Sequence, residues 1–238
     1  MNTSSLLSLL HISSPALPIG TFAYSQGLEY TLDRGWCRKA DDVAQWISAV
    51  LKEGLGGVDL PIMVRLYHAW QQGSEEDLNY WNDTLLAFRE TKELYLEDVQ
   101  VGEAFKQWHM SWIDEDTTSE LTDGQFDTAT HQRMLNWIQQ PTVPVMYTLS
   151  SVLQAVDVKS CLIGFTWAWL ENQITAASKA MPMGQTDGQR IIRKLLPEIE
   201  QVVEQALKVE DELIGSGLVG LAMSSALHEH QYSRLFRS

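Results

Sequence analysis

The chain has 238 residues, 45% of them hydrophobic, enough to bury a substantial core within one large domain. Its 31 acidic residues outnumber 17 basic ones for a formal charge of −14, a balance that phosphate backbones and anionic lipid repel, so neither nucleic acid nor a membrane surface is an expected partner. Two cysteines, Cys37 and Cys161, show no C-x-x-C spacing, which encodes no disulfide framework or thiolate metal site and fits a reducing, cytoplasmic setting.

The first 28 positions carry no Asp, Glu, Lys or Arg, and the stretch SPALPIGTFAYSQGLEY, Ser14 to Tyr30, is rich in Pro, Gly, Ser, Tyr and Gln. No basic residue precedes the run Leu6 to Leu10, the run is short and no small-x-small pattern follows it, so an export signal is not expected. Pro15, Pro18 and Gly20 set an extended or turning backbone that leads into a helix with Phe22, Tyr24, Leu28 and Leu32. Neutral donors and acceptors beside aromatic rings, at Tyr24, Ser25 and Gln26, suit a specific protein interface better than acid–base catalysis. A polar contact buried inside the fold has the same composition.

Val43, Trp46, Ile47, Val50 and Leu51 follow the i, i+3, i+4, i+7, i+8 rule behind Asp41 and Asp42, an amphipathic helix that Gly54, Gly56 and Gly57 are expected to end. Asp59 and Pro61 open the next helix, which runs through Met63, Leu66, Tyr67 and Trp70 to a stop at Gly73. Ser74 with Asp77 gives a start signal for a third, continuing with a break toward Ile113. The acidic, turn-rich run from Asp114 to Asp127 reads as an exposed loop or lid. A helix with Met134, Leu135, Trp137 and Ile138 follows, closed off by Pro141 and Pro144.

Cys161 to Leu170 is apolar on every side and is expected at the centre of a bundle; it is about half the roughly 20 residues of a membrane span. Pro197 is expected to open a helix carrying Ile199, Val202, Val203, Ala206 and Leu207, and Gly215 and Gly217 precede a final one with Leu218, Leu221, Ala222 and Leu227. With no alternating strand, internal repeat or low-complexity linker, the expected fold is all-α: a single-domain bundle over residues 1–238 with about ten helices.

Chemistry-bearing patterns are scarce. The six histidines form no H-E-x-x-H or E-x-x-H, and His228 and His230, spaced i, i+2, point apart on a helix and read as solvated polar residues. There is no G-x-S-x-G elbow, and an Asp187 base near Arg190 lacks a nucleophile or second carboxylate at useful spacing. The run GQTDGQR, Gly184 to Arg190, lacks the lysine and following Ser/Thr of a phosphate loop; it reads as a helix start in which Thr186 or Asp187 accepts from the orphan N–H groups. A cap explains Asp187 and the glycines better than it explains Gln185, Gln189 and Arg190. In the tail HEHQYSRLFRS, Arg234 and Arg237 follow Glu229 with no further acid.

Three stretches taken together, SPALPIGTFAYSQGLEY, MPMGQTDGQR at Met181 to Arg190, and HEHQYSRLFRS, resemble in order and spacing the signature segments of UreF, the urease accessory protein family. The resemblance implies an all-α, dimeric, non-enzymatic scaffold for nickel insertion into urease, with no catalytic residue, cofactor or metal set of its own. Its implied partners are an accessory protein of the UreD or UreH type, the nickel-carrying GTPase UreG and the urease apoprotein. Regulation of UreG's GTP hydrolysis, by an arginine finger at Arg190, Arg234 or Arg237, is the alternative it suggests.

Residue by residue, the resemblance assigns Tyr24, Ser25 and Glu29 to the opening motif, Gln185, Thr186, Asp187 and Arg190 to the central one, and Tyr232, Arg234 and Arg237 to the tail, as partner contacts or the architecture behind them. It implies that segments 1–21 and 229–238 bind partners and are partly mobile beforehand. Where some members carry His this chain has Gln26, and Thr21 stands where some carry Gly, so nickel ligation by the opening loop is not expected. An uncharged opening and an arginine-bearing tail are expected to lie together as one docking surface.

Overall fold

The computed structural model describes residues 2–114, 127–215 and 217–238, and within them every regular element is helical. The expected all-α bundle is what the chain forms, around one continuous apolar core. Of the expected loop from Asp114 to Asp127, positions 115–126 lie outside the described residues.

A helix not anticipated above, α1 (Thr3–Ile12), starts where the Asn2 side chain accepts from Ser5 N at 2.8 Å, and buries Leu9 and Ile12 while leaving Leu6, Leu7 and Leu10 in solvent. The expected helix through Phe22 to Leu32 is broken. Thr21–Ala23 form one 3-10 turn, Tyr24 is extended, Gln26 and Gly27 are left-handed, and only then does α2 (Leu28–Asp33) begin.

Helix α3 (Ala40–Ala49) is set by Asp42, whose carboxylate accepts from the backbone N–H of Arg38 and Lys39 at 2.9 and 3.2 Å, and it buries Val43 and Ile47 as its periodicity predicts. The glycines at 54, 56 and 57 do not end it. The chain continues as a π-helical segment, Val50–Asp59, directly into α4 (Leu60–Gln72), so residues 40–72 make one unbroken rod. The physical reason is a close approach and not a stop: a Cβ on Gly56 would lie 2.7 Å from Val202 Cγ1, and Gly57 O accepts from Gly215 N at 3.0 Å. Gly73, at φ +68°, does cap α4.

Ser74 Oγ accepts from Asp77 N and opens α5 (Glu75–Ala87), and after a break at 88–91 comes α6 (Lys92–Asp114). Helix α7 (Thr128–Asn136) is capped by Asp127. Pro144 opens a helix and does not close one: it stands in the first turn of α8 (Val143–Leu153), behind the Thr142 cap. This helix, and not Cys161–Leu170, is the one buried all round, from Pro144 to Leu153 without a gap. Helix α9 (Val158–Ala180) contains Cys161–Leu170 but leaves Ile163, Phe165 and Trp167 only half-buried.

Pro197 lies inside α10 (Gln185–Ala206). Its missing N–H cannot donate to the Arg193 carbonyl four residues back, and both residues are on the exposed face, where water can meet that carbonyl. The last helix, α11 (Val219–His228), buries Ser224, Ser225 and His228; of its expected apolar residues Leu221, with Leu218 just before the helix, packs partly buried against the core, whereas Leu227 turns outward with Val219 and Met223.

α4 packs against α5 and α8, and α9 against α10, α2, α4 and α8. Polar atoms within this core are satisfied across helices: Trp70 Nε1 donates to Val145 O at 3.0 Å and Tyr67 OH to Val156 O at 2.8 Å. Three helices meet at a histidine pair. His109 of α6 bonds His131 of α7 at 3.1 Å and Ser150 Oγ of α8 at 2.7 Å, all fully buried.

Burial holds His109 well below its usual range and pushes His131 down to about 4. Both rings bind protons more readily in the unfolded chain. Their contribution to stability is therefore present above about pH 6.5 and is lost as pH falls toward 4. The unfolding free energy of the wild type relative to a His109→Leu/His131→Leu variant should drop on acidification by up to about 1.4 kcal/mol per pH unit per ring. Urea titrations of both proteins between pH 7.5 and 4.5 measure this, and a gap independent of pH would contradict it.

Candidate functional site

The opening stretch and the tail meet. Gln26 at φ +53° and Gly27 at φ +74° turn the chain sharply into α2, and the absence of a side chain at Gly27 lets α11 close in: a Cβ there would collide with Ser224 Oγ and lie 2.9 Å from Ser225 N. Ser225 Oγ in turn shares a hydrogen bond with Thr91 Oγ at 2.7 Å, fastening α11 to the start of α6.

At the centre is His228. Its Nε2 lies 3.0 Å from Glu29 Oε2 and its Nδ1 lies 2.7 Å from Glu93 Oε2, so carboxylate oxygens face both ring nitrogens. Arg234 reaches Glu93 Oε1 at 2.7 Å. Glu29 also accepts the backbone N–H of Leu235 at 2.7 Å and of Phe236 at 3.0 Å. Two carboxylates, an imidazole ring and a guanidinium thus converge in one cluster on α2, α6, α11 and the tail. Glu29, Glu93 and His228 are buried within the fold.

Beyond the cluster the tail runs back along the opening stretch. Arg237 N donates to Ala23 O at 2.8 Å, and Ser25 donates through both its N–H, at 2.8 Å, and its hydroxyl to the main-chain oxygen of Ser238. Phe236 is buried under Lys179 Nζ, 5.8 Å from the ring centroid. Gln26 Nε2 and Ser238 Oγ both donate to Glu97, at 2.9 and 3.0 Å, while Trp169 Nε1 donates to Gln26 Oε1 at 2.8 Å. Tyr24 is buried, with its hydroxyl donating to Gln100 Oε1 at 2.8 Å and its carbonyl accepting from Asn172.

Of the residues singled out in the sequence, Tyr24, Ser25 and Glu29 are therefore engaged inside this chain, as is Arg234 through Glu93. Tyr232, Leu235 and Arg237 project into solvent. The central motif stands apart. Gln185 and Thr186 are exposed in the first turn of α10, whose cap is Gly184 with no side-chain bond, so neither Thr186 nor Asp187 caps it as expected. Asp187 instead pairs with Arg190 at 2.6 Å. Among the described residues no hydrogen bond or ion pair joins this motif to the tail; its link is Lys179, in the last turn of α9, over Phe236.

His228, Glu93 and Glu97 were missed in the sequence. The HEH spacing was informative in one respect, since the two rings do part company: His228 is buried and His230 exposed. Among the described residues no three His, Cys, Asp or Glu side chains converge to hold a metal ion, and no helix is long and apolar enough to cross a membrane.

Comparison with known proteins places this geometry. A family model described as UreF matches residues 37–196. The urease accessory protein UreF of Teredinibacter turnerae is 41% identical over 233 residues, covering 98% of both chains. Those of Chromohalobacter salexigens and Hahella chejuensis are each 40% identical, across 98% of this chain and 94% and 98% of theirs.

Glu29→Ala takes away the carboxylate that faces the buried His228 Nε2, and a buried polar atom left without its partner costs about 1–3 kcal/mol. Glu29→Ala also leaves the N–H groups of Leu235 and Phe236 without their acceptor. Trypsin should then cut after Arg234 and Arg237 at least about tenfold faster than in the wild type at equal protein concentration, the cost appearing as local opening of the tail. Unchanged cleavage rates would show that Glu29 does not hold it.

Proposed function

We infer that this chain, which belongs to the UreF family of urease accessory proteins, serves urease maturation as a non-enzymatic scaffold, held by an accessory protein of the UreD or UreH type and in turn holding the nickel-carrying GTPase UreG against the urease apoprotein. The observation that carries this reading is the division of labour at the tail. Polar and charged groups of α11 and the tail are spent inward, on Glu29, Glu93 and Glu97, while the apolar side chains Val219, Met223, Leu227, Tyr232 and Leu235 face out. An outward apolar strip on a chain of charge −14 is a contact surface, and aromatic anchors such as Tyr232 are the side chains that carry binding energy in such surfaces. Exposed Gln185, Thr186 and Arg190 offer a second, polar contact surface. A cytoplasmic homodimer suits both surfaces being used at once.

One observation favours regulation of the GTPase as a second reading. Arg190 is paired with Asp187 and Arg234 with Glu93, whereas the Arg237 guanidinium makes no ion pair among the described residues. It is the side chain best disposed to act as an arginine finger, worth about 10³–10⁵ in rate.

Because Tyr232 and Leu235 are exposed, Tyr232→Ala/Leu235→Ala should leave the melting temperature unchanged while weakening co-purification with the UreD-type protein by about tenfold or more, as loss of a hot spot does. Retention at wild-type strength by a folded double variant would remove the tail from the interface. GTP turnover by UreG, with and without this protein and its Arg237→Ala form, separates the readings: stimulation lost in Arg237→Ala supports the activator, and an unstimulated rate leaves the scaffold alone.

A further inference from the structure

A cavity of about 340 Å³ lies beneath the uncharged opening stretch, at the small end of ligand-sized pockets. The opening stretch forms one wall; the π-helical segment, the start of α6 and the middle of α9 form the others. The ionisable groups lining it are mostly carboxyls, and its one guanidinium, Arg89, is already taken. Arg89 pairs with both Asp59 and Asp98; burial alone would lower its pKa, but the two carboxylates outweigh that and raise it. Glu90, Glu97 and Glu171 are left on the lining with no cation paired to them among the described residues.

Glu97 is the telling member. It is enclosed by protein yet keeps accessible surface where it lines the cavity, and its hydrogen-bond partners among the described residues, Gln26 and Ser238, are neutral donors. Burial, with Asp98 adding, pushes its carboxyl up to about 7 against the opposing pull of Gln26, Ser238 and the more distant Arg89, which makes no ion pair with it. Phe165 and Trp169 line the same space and Phe22 is exposed beside it. Three requirements follow for an occupant: positive charge, a surface that packs on aromatic rings, and small cross-section. A bare metal ion fails the first test of its own chemistry, since no three ligating side chains converge among the described residues.

We propose that this cavity is a socket for a basic side chain, an arginine presented by a docked partner protein, with Glu97 receiving the guanidinium and the Trp169 and Phe165 rings packing on its plane. Arginine fits better than lysine because its flat, weakly hydrated head both stacks and donates in a fork. The partner is drawn from the scaffold reading above, but the socket is testable on this chain alone.

The probe is butylguanidinium, with uncharged butylurea of the same shape as its control, titrated into the full chain carrying ¹⁵N-labelled indoles. The Trp169 indole N–H, which donates to Gln26, should shift saturably with the guanidinium and not with the urea. Glu97→Gln should weaken the guanidinium about tenfold, the worth of a charge-assisted hydrogen bond. Glu171→Gln, on a half-exposed side chain whose change does not threaten the fold, should weaken it as well, while Glu103→Gln, off the cavity, should not. Equal response to both probes, no saturable response to either, or full affinity in Glu171→Gln would overturn the socket. Co-purification with the UreD-type protein is scored separately, so loss of the socket and loss of the scaffold reading are distinct results.

Discussion

A histidine held between two carboxylates governs how the rest of this region is arranged. The two buried carboxylates need partners to stay buried, and His228, which lies between them, and Arg234, which pairs with Glu93, supply them. Burial of such a group is expensive unless every oxygen is satisfied, and Glu29 meets that demand by accepting two backbone N–H groups from the tail. The tail is thereby a structural ligand of the bundle and its path is dictated: Leu235 and Phe236 must lie on Glu29, and Ser238 then arrives at Ser25. The first charged residue in the chain after an uncharged opening is thus the one on which the last turn of structure closes.

The same requirement explains the polar inner face of α11. A helix that must present His228 to two acids, and Ser224 and Ser225 to Gly27 and Thr91, has used much of its inward face for polar chemistry, so Leu221 packs on the core only in part while Val219, Met223 and Leu227 are left outward. In most surface helices hydrophobicity points to the core. Here it is split, with Leu221 toward the core and Val219, Met223 and Leu227 away from it.

Much of the bundle was legible in the sequence because its signals are local. Ser74 with Asp77, Asp42 behind Lys39, and Gly73 at positive φ all act within a few residues of themselves, and each does what its chemistry predicts. The misreadings share a cause. Gly56 and Pro197 look like punctuation, yet one answers to Val202 across the core and the other forgoes its backbone donor on an exposed face; both outcomes depend on neighbours that spacing does not reveal. The candidate site divides the same way. Its motifs drew attention to Tyr24, Ser25, Glu29, Arg234 and Arg237, but Glu93 and Glu97 sit in an ordinary-looking acidic helix, and only the return of the tail over more than a hundred residues makes them special.

The π-helical stretch in the rod at 40–72 has a mechanical meaning. Each widened turn takes up more residues than an α-turn, so side chains beyond it emerge at a different bearing around the axis from the one they would have held. Upstream, α3 packs chiefly on α10; downstream, α4 packs chiefly on α5 and α8. One continuous element therefore serves two sets of neighbours without a loop between them. Excising a single residue from that stretch would swing every contact of α4 by about a quarter-turn, so the segment behaves as an indexing joint whose setting the entire bundle inherits.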